Sequence, residues 1–487
     1  MEHVVFIVFA ALVAVSASAQ VGELSLRAKE KGIASGGFSA FYINGDTTSI
    51  LVELNTSSVN ARYDLVRMDL NQKELARVSY RRAEGRHYVD GFDNPGSVDL
   101  LVTEHNKSET ELKVLHERRD VTTLAELGDP RLLKVLTGEK RDKMGFIYRT
   151  SPNKQLGCGV YIKQREGEGA EAEAVLYNRE FEPYWSMTTH LRALDFVRVT
   201  DSGEVVIGGW GQKEKDDEAF FEVIVLDGEE DHTYHFSTKS GELMEVQFAN
   251  YANHKVYLFA IVREKKNRSN GTQVDRLLSL CYNTANSTLT EEMHTLTTQE
   301  VNRLYNNSDN SHAKSAVQFL QIDGVAAAPD GHYEAVLSQR WTEVDKYGFP
   351  SAYFTQGLML VTVDKEGHFA RTNPRRMYTG VPVAQYQMNR LLPMRTSHGS
   401  VLFYIENASS YQRPLNEGTK RFQPILKSGV MTVVYTPDEG EPVVQHFQTA
   451  KNGIMGLPKH IDDNTFILFL RDRSKAQLGV FTMDAGL

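Results

Sequence analysis

Polar residues interrupt the apolar runs of this chain at recurring places. His190 and Arg192 stand ahead of Leu194-Asp195. Glu242 and Glu245 open the next run, Gln318 and Gln321 the one after, and Gln387, Asn389 and Arg390 a fourth. Side chains of these kinds, repeated at the head of successive segments, suit recognition of a glycan, a peptide or a carboxylate, with arginine supplying a bidentate fork. Glu242 and Glu245 admit a second chemistry, because two carboxylates about 5–10 Å apart beside an arginine are equipped to hydrolyse a glycosidic bond. Strict alternation along a strand would instead splay those two. Trp210 and the Arg340-Trp341 pair end apolar runs where long polar stretches begin, a place for an aromatic platform facing a sugar or a protein. The candidate ligand-binding residues are therefore His190, Arg192, Trp210, Glu242, Gln318, Gln321, Arg340, Trp341, Gln387 and Arg390.

Local catalytic motifs are missing. The sequence holds no HExxH, GxSxG, P-loop or paired CxxC. His232 and His235 are three apart, which on a strand puts them on opposite faces, and the acidic stretch Asp227 to Asp231 does not match the spacing of a calcium loop. We expect no metal and no cofactor, and a binding protein ahead of an enzyme.

The elements that position these residues show in the stretch Phe196 to Thr238. Phe196-Val197-Arg198-Val199 stops at Asp201-Ser202-Gly203, a tight-turn signal. Val205 to Trp210 is a second apolar run, Phe220 to Leu226 a third, and His232 to Ser237 a fourth after the turn at Asp227 to Asp231. Four short antiparallel strands make a twisted sheet that must stack on copies of itself. Copies begin at Phe38, His87, Met144, Leu243, Val317 and Tyr386, and a last one from Gly453 has only three strands. In the unit from His87 the fourth strand reads Thr122 to Leu127, and Asp129-Pro130-Arg131-Leu132-Leu133 reads as the start of a short helix, as does Gln299 to Leu304.

Seven full units and one short unit predict an all-β fold: a single β-propeller of eight four-stranded blades, or seven if the unit from His87 is discounted. Leu24 to Arg27 would close the last blade. Ala328-Pro329-Asp330-Gly331 is similar to the strand-linking turn of TolB-like and related secreted propellers, a resemblance at the level of the propeller superfamily. Propeller enzymes assemble acid and base from different blades, so a hydrolase or lyase with its site at the channel mouth is the alternative to a binding propeller.

The ends and the charge bound the partners. Val4 to Val15 is unbroken and apolar, and Ala17-Ser18-Ala19 follows, which predicts a secretory signal over residues 1–19, a propeller domain over 20–487, and an exported protein, periplasmic, envelope-associated or extracellular. The n-region departs from the pattern in carrying Glu2 and His3 but no lysine or arginine. No later run reaches the length of a transmembrane helix. The net charge is −9 and the lysines and arginines are scattered, which argues against nucleic acid and leaves a protein, a glycan or an envelope component as partner. Cys158 and Cys281 lie inside apolar runs and are expected as buried thiols. The connections Gln164 to Ala172, Gly211 to Glu218, Arg263 to Asp275, Thr342 to Thr355 and Glu406 to Lys427 are long and all fall on one face of such a ring, the face expected to act.

Overall fold

The computed structural model describes residues 21–484 apart from 27–29, 32–37, 43–48, 58–61, 70–72, 82–84, 95, 107, 141, 166–168, 192–193, 212–219, 238–241, 264–272, 306–316, 319, 345–349, 383–390, 392, 408–428, 449–452, 455–457 and 473–474. The proposed signal segment therefore lies outside the described residues. The chain is an eight-bladed β-propeller. Blades 1 to 7 span residues 38–81, 86–137, 143–191, 196–236, 242–295, 320–382 and 393–448, and blade 8 joins residues 453–483 to the strand Gly22–Leu26.

Burial explains why the middle strands read as continuous apolar runs. In blade 5 the strand Lys255–Arg263 sends Val256, Leu258, Ala260 and Val262 into a core shared with Val206, Phe221 and Val223 of blade 4. Its alternate residues Tyr257, Phe259 and Ile261 pack with Tyr333, Ala335 and Leu337 of blade 6. Each such side chain contributes about 1.5–3 kcal/mol of burial, and period-two alternation divides it between two neighbours. Outer strands alternate instead: Glu74–Arg81 is exposed at every second residue. Cys158 and Cys281 are buried and unbridged.

First strands of neighbouring blades approach one another, so they ring the central channel. Fourth strands form the rim. The blade tips split into two faces. Connections from first to second and from third to fourth strands are short turns, such as Thr200–Glu204 and Asp364–His368. The opposite face carries the connections from second to third strands and from blade to blade.

Three expectations need correction. Arg131–Thr137 is the fourth strand of blade 2, not a helix, and pairs with Glu111–Asp120, while Thr122 to Leu127 is a turn with one bridge, Arg119 to Glu126. The open edge of the third strand outweighs the helix-start signal at Pro130. Residues 121–130 thereby place one longer connection on the short-turn face. Gln164 to Ala172 is a shorter connection than expected, since pairing runs to Gln164 and resumes at Ala170. Thr342 to Thr355 is also largely paired. Tyr333–Val344, Pro350–Val363 and Phe369–Pro382 continue past the blade as a three-stranded ribbon, with Trp341 opposite Phe354 and Ala352 opposite Pro382. The expected helix at Gln299 to Leu304 is present as Thr298–Tyr305. Its Thr297 and Glu300 form a capping box: Glu300 N donates to Thr297 Oγ1 at 3.2 Å and Thr297 N to Glu300 Oε2 at 2.7 Å.

Ring closure is the expected one. Gly22–Leu26 lies antiparallel on Lys475–Met483, with Leu24 opposite Phe481. A Cβ at residue 22 would stand 2.2 Å from the carbonyl oxygen of Thr482, so only glycine lets the strands approach. Gln445 of blade 7 fastens the joint: Val21 N and Gly22 N donate to its Oε1 at 2.7 and 3.0 Å, and its Nε2 donates to Gly22 O at 3.1 Å. Deleting residues 20–26 should lower the melting temperature of the whole ring, with recovery when a peptide of that sequence is added. Gln445→Leu strips two amides and a carbonyl of their partner and should cost about 2–3 kcal/mol in chemical denaturation.

Candidate functional site

The described candidates do not converge on one pocket. His190 ends the outer strand Pro183–Leu191 of blade 3, opposite Glu171, and is exposed at the rim instead of at the channel. The outer strand runs on through His190 because residues Ala170 and Glu171 continue the ladder beside it. Gln318 lies on the two-residue strand Val317–Gln318, paired with Gln273–Val274 from the long connection of blade 5, and so is off the channel-lining strand. Glu242 and Gln321 do occupy inner strands, opposite Arg263 and Ser338, and Gln321 is exposed. Trp210 opposes Phe221 within blade 4. Arg192, Gln387 and Arg390 lie outside the described residues, as does Asn389.

Arg340 is buried and engaged. It pairs with Asp323, and its Nε donates to Ser338 Oγ at 2.9 Å. Asp323 is the extra residue of a bulge in the inner strand Leu320–Ala327, between Ile322 opposite Leu337 and Gly324 opposite Val336. Glu245 reaches the same place from blade 5, accepting a hydrogen bond from Ile322 N at 3.0 Å. A second bulge, at Met244, makes Glu242 and Glu245 pair with residues two apart, Arg263 and Ile261, so the alternation expected for them is broken. Burial pushes the Asp323 carboxyl up to about 7 against the pull of Arg340, and burial also raises Glu245, opposed by the Ile322 amide and Arg340. With side-chain exposures of 9% for Arg340 and 4% for Asp323, this is an inter-blade clasp with no space for a sugar ring. Glu245, half-buried, is engaged by the fold through the amide of Ile322.

The channel holds a different group at its short-turn end. Arg149 sits one residue from the end of the inner strand Lys143–Thr150 of blade 3, and Arg198 one from the end of Phe196–Val199 of blade 4. Lys459 lies on Lys459–His460 of blade 8, and Asp90 on Arg86–Asn94 of blade 2. Arg149, Arg198 and Lys459 all reach water by surface area, although Arg198 and Lys459 are surrounded densely enough for desolvation to disfavour their charge. Enclosure lowers Arg198, and Arg149 lowers it further. Enclosure likewise lowers Lys459, with Asp90 opposing and Arg149 adding to the effect. Asp90 is raised by its burial, opposed first by Lys459. The reading of the sequence passes over these cations. A signal exists for them: each is the single basic residue in Tyr148-Arg149-Thr150, Val197-Arg198-Val199 and Pro458-Lys459-His460.

Beside this end lies a small pocket of about 20 Å³ between blades 2 and 3, with Tyr148, Leu156 and Phe181 as its apolar wall and Asn94, Lys154 and Arg179 among its polar lining. His232 and His235 have separate partners, Asp227 at 4.0 Å and Glu222 at 3.1 Å.

No protein-family model matches the chain, and no curated protein matches it. Solved structures do. The WD40 domain of SCAP from fission yeast is 8% identical, with 95% of this chain and 98% of that one covered at a TM-score of 0.43. The Dos1 propeller is 7% identical over 82% of this chain and 95% of that one, TM-score 0.33. The acylaminoacyl peptidase of Pyrococcus horikoshii is 9% identical over 90% of this chain and 58% of that one, TM-score 0.37. At these scores the likenesses carry no partner or activity across.

The clasp has a pH signature. A carboxyl whose folded value rises from 3.8 to about 7 binds its proton more tightly in the folded state, so its stabilising effect is complete below 3.8 and lost as pH rises through about 7. Glu334, buried between blades 6 and 7 and likewise pushed up to about 7, adds to the same slope. Urea unfolding between about pH 4 and 8 should show this loss. Asp323→Asn should make it shallower and Asp323→Asn with Glu334→Gln shallower still.

Proposed function

We propose that this chain is a non-enzymatic binding or scaffolding propeller, exported from the cell, that docks another protein through the long-loop face of blades 4 to 7. The observation that carries this reading is where the chain spends its extra length. Residues 212–219, 264–275, 296–319, 383–392 and 408–428 all connect strands on that face and within those blades, while the same face of blades 1 to 3 has short connections. The ribbon of blade 6 projects from the same sector, roughly five residues or about 17 Å beyond a strand of ordinary length. Long connections held on a rigid ring are where binding sites are built. Export rests on the apolar run Val4 to Val15 and the small residues after it.

The alternative, a glycan-active hydrolase or lyase at the channel mouth, loses ground because Asp323 is buried against Arg340 and Glu245 accepts from the amide of Ile322, so both carboxylates are engaged by the fold. Shortening the ribbon tests the docking reading. Joining Trp341 to Phe354 through Asn-Gly keeps the blade pairing and removes the tip. Cross-linking mass spectrometry from Lys265, Lys266, Lys346 and Lys420 should capture one recurrent protein with the intact chain. The shortened chain should melt within a few degrees of the intact one and lose that capture. Capture of no recurrent protein by the intact chain, with a glycan turned over instead, would reverse the choice between the two readings.

A further inference from the structure

We propose that Asn286, at the tip of blade 5 on the short-turn face, is an acceptor for an asparagine-linked glycan. The inference rests on the export reading and narrows it to a route that carries a glycosylating transferase, the eukaryotic secretory pathway.

Seven Asn-x-Ser/Thr triplets stand in the sequence, the pattern such a transferase reads. A triplet serves as an acceptor where its asparagine reaches solvent and its amide nitrogen is uncommitted. Two of the seven asparagines, Asn106 and Asn286, have side chains among the described residues, and they differ in this respect. Asn106 is folded into its own turn. Its Oδ1 accepts from the amides of Thr110 and Glu111 at 2.9 and 3.2 Å, and its Nδ2 donates to Thr110 Oγ1 at 3.1 Å. The hydroxyl of Ser108, third residue of that triplet, lies 2.9 Å from the hydroxyl of Thr110 and bonds there.

Asn286 is built the other way. It sits in the connection between Arg276–Asn283 and Thr288–Thr295, the third and fourth strands of blade 5, and residues 285–289 are all exposed. The hydroxyl of Thr288, third residue of this triplet, donates to Asn286 Oδ1 at 2.6 Å, and the Thr288 amide donates to the same oxygen at 3.2 Å. Both bonds engage the carbonyl end of the side-chain amide. Its Nδ2, the atom that takes the sugar, has no hydrogen-bond acceptor among the described residues. Donation to Oδ1 also draws electron density toward the oxygen and eases loss of a proton from the nitrogen. Ser287 takes a φ of 57° and turns the chain back at the tip. Thr284 anchors the turn at its base, its amide and hydroxyl donating to the carbonyl of His254 at 2.7 and 2.9 Å. The acceptor thus projects from a turn held below it. The contacts that shape the triplet are local, so the same conformation is open to the chain before the ring closes.

Transfer joins Nδ2 to the anomeric carbon of the first sugar. The bond from that carbon to a phosphate oxygen of a polyprenyl-diphosphate-linked oligosaccharide breaks, the diphosphate leaves with the electron pair, and Nδ2 gives up one proton to the transferase. A glycan is bulky and hydrated. At Asn286 it occupies the face opposite the long connections, so it leaves the docking face of blades 4 to 7 clear.

The test produces the full chain in cultured eukaryotic cells behind its own residues 1–19 and, in parallel, behind an unrelated secretory signal in their place. Glycan release by a peptide-N-glycosidase in heavy-oxygen water leaves a labelled aspartate at each occupied asparagine, which peptide mass spectrometry locates. Position 286 should be labelled in both arms. Thr288→Ala should lose the label and Thr288→Ser keep it. Asn286→Gln should lose it too and melt within a few degrees of wild type, because Thr284 still holds the turn. A chain retained in the cell behind its own residues 1–19 but labelled behind the substitute signal overturns the export reading and upholds the acceptor. An unlabelled Asn286 behind the substitute signal overturns the proposal, as does a label that survives Thr288→Ala.

Discussion

Each blade of this protein has two apolar faces and so cannot exist by itself. The strand Lys255–Arg263 divides its side chains between blade 4 and blade 6, and every position except its first is buried. A sheet with such a strand at its centre exposes a large apolar surface until both neighbours arrive, and that demand passes from blade to blade until the ring closes. Closure is therefore a condition of the fold. It is met by five residues from the start of the described chain, Gly22–Leu26, and by one glutamine that hydrogen-bonds their backbone from the preceding blade. The strands on the rim carry a lighter demand, and their alternation of exposed and covered residues follows from having solvent beyond them.

This division decides what can be read from the sequence. Strands with two covered faces announce themselves as dense apolar runs, which is why Val205–Gly211 and Phe220–Leu226 are recognisable within a residue or so, and Phe196–Val199 shows by its alternation. The outer strand Arg131–Thr137 is not. Its residues are partly exposed, with Leu132 at 51%, and a proline ahead of it gives a local helix signal that only the open edge of Glu111–Asp120 overrules. The ribbon of blade 6 is hidden for a related reason. Pairing beyond the blade needs no apolar pattern, and the stretch Thr342-Glu343-Val344 followed by Asp345-Lys346-Tyr347 is polar enough to pass for a loop.

The candidate site is less legible than the fold. A polar group ahead of an apolar run marks an inner strand only where the preceding outer strand has already ended. Composition does not show that boundary, and His190 falls on the wrong side of it. Arg340 stands at the end of a run, where exposure is expected. A bulge at Asp323 supplies it with a counter-ion instead, and bulges leave no periodic trace. The channel cations escape for the opposite reason. A single arginine between two valines looks like the solvent side of an ordinary strand, and only the ring brings it under the influence of Arg149 from the neighbouring blade.

Compensation is what separates the structural charges of this molecule from the others. Glu334 accepts from Ser400 at 2.6 Å, Glu406 from Thr432 at 3.1 Å, Glu245 from the amide of Ile322, and Asp99 lies against His116 at 3.3 Å and Arg118 at 3.4 Å. Each of these carboxylates joins strands or blades, and each has a partner in the fold because an unpaired buried charge costs more than a lost hydrogen bond. Arg198 falls outside that rule, because its side chain reaches water at the end of an inner strand.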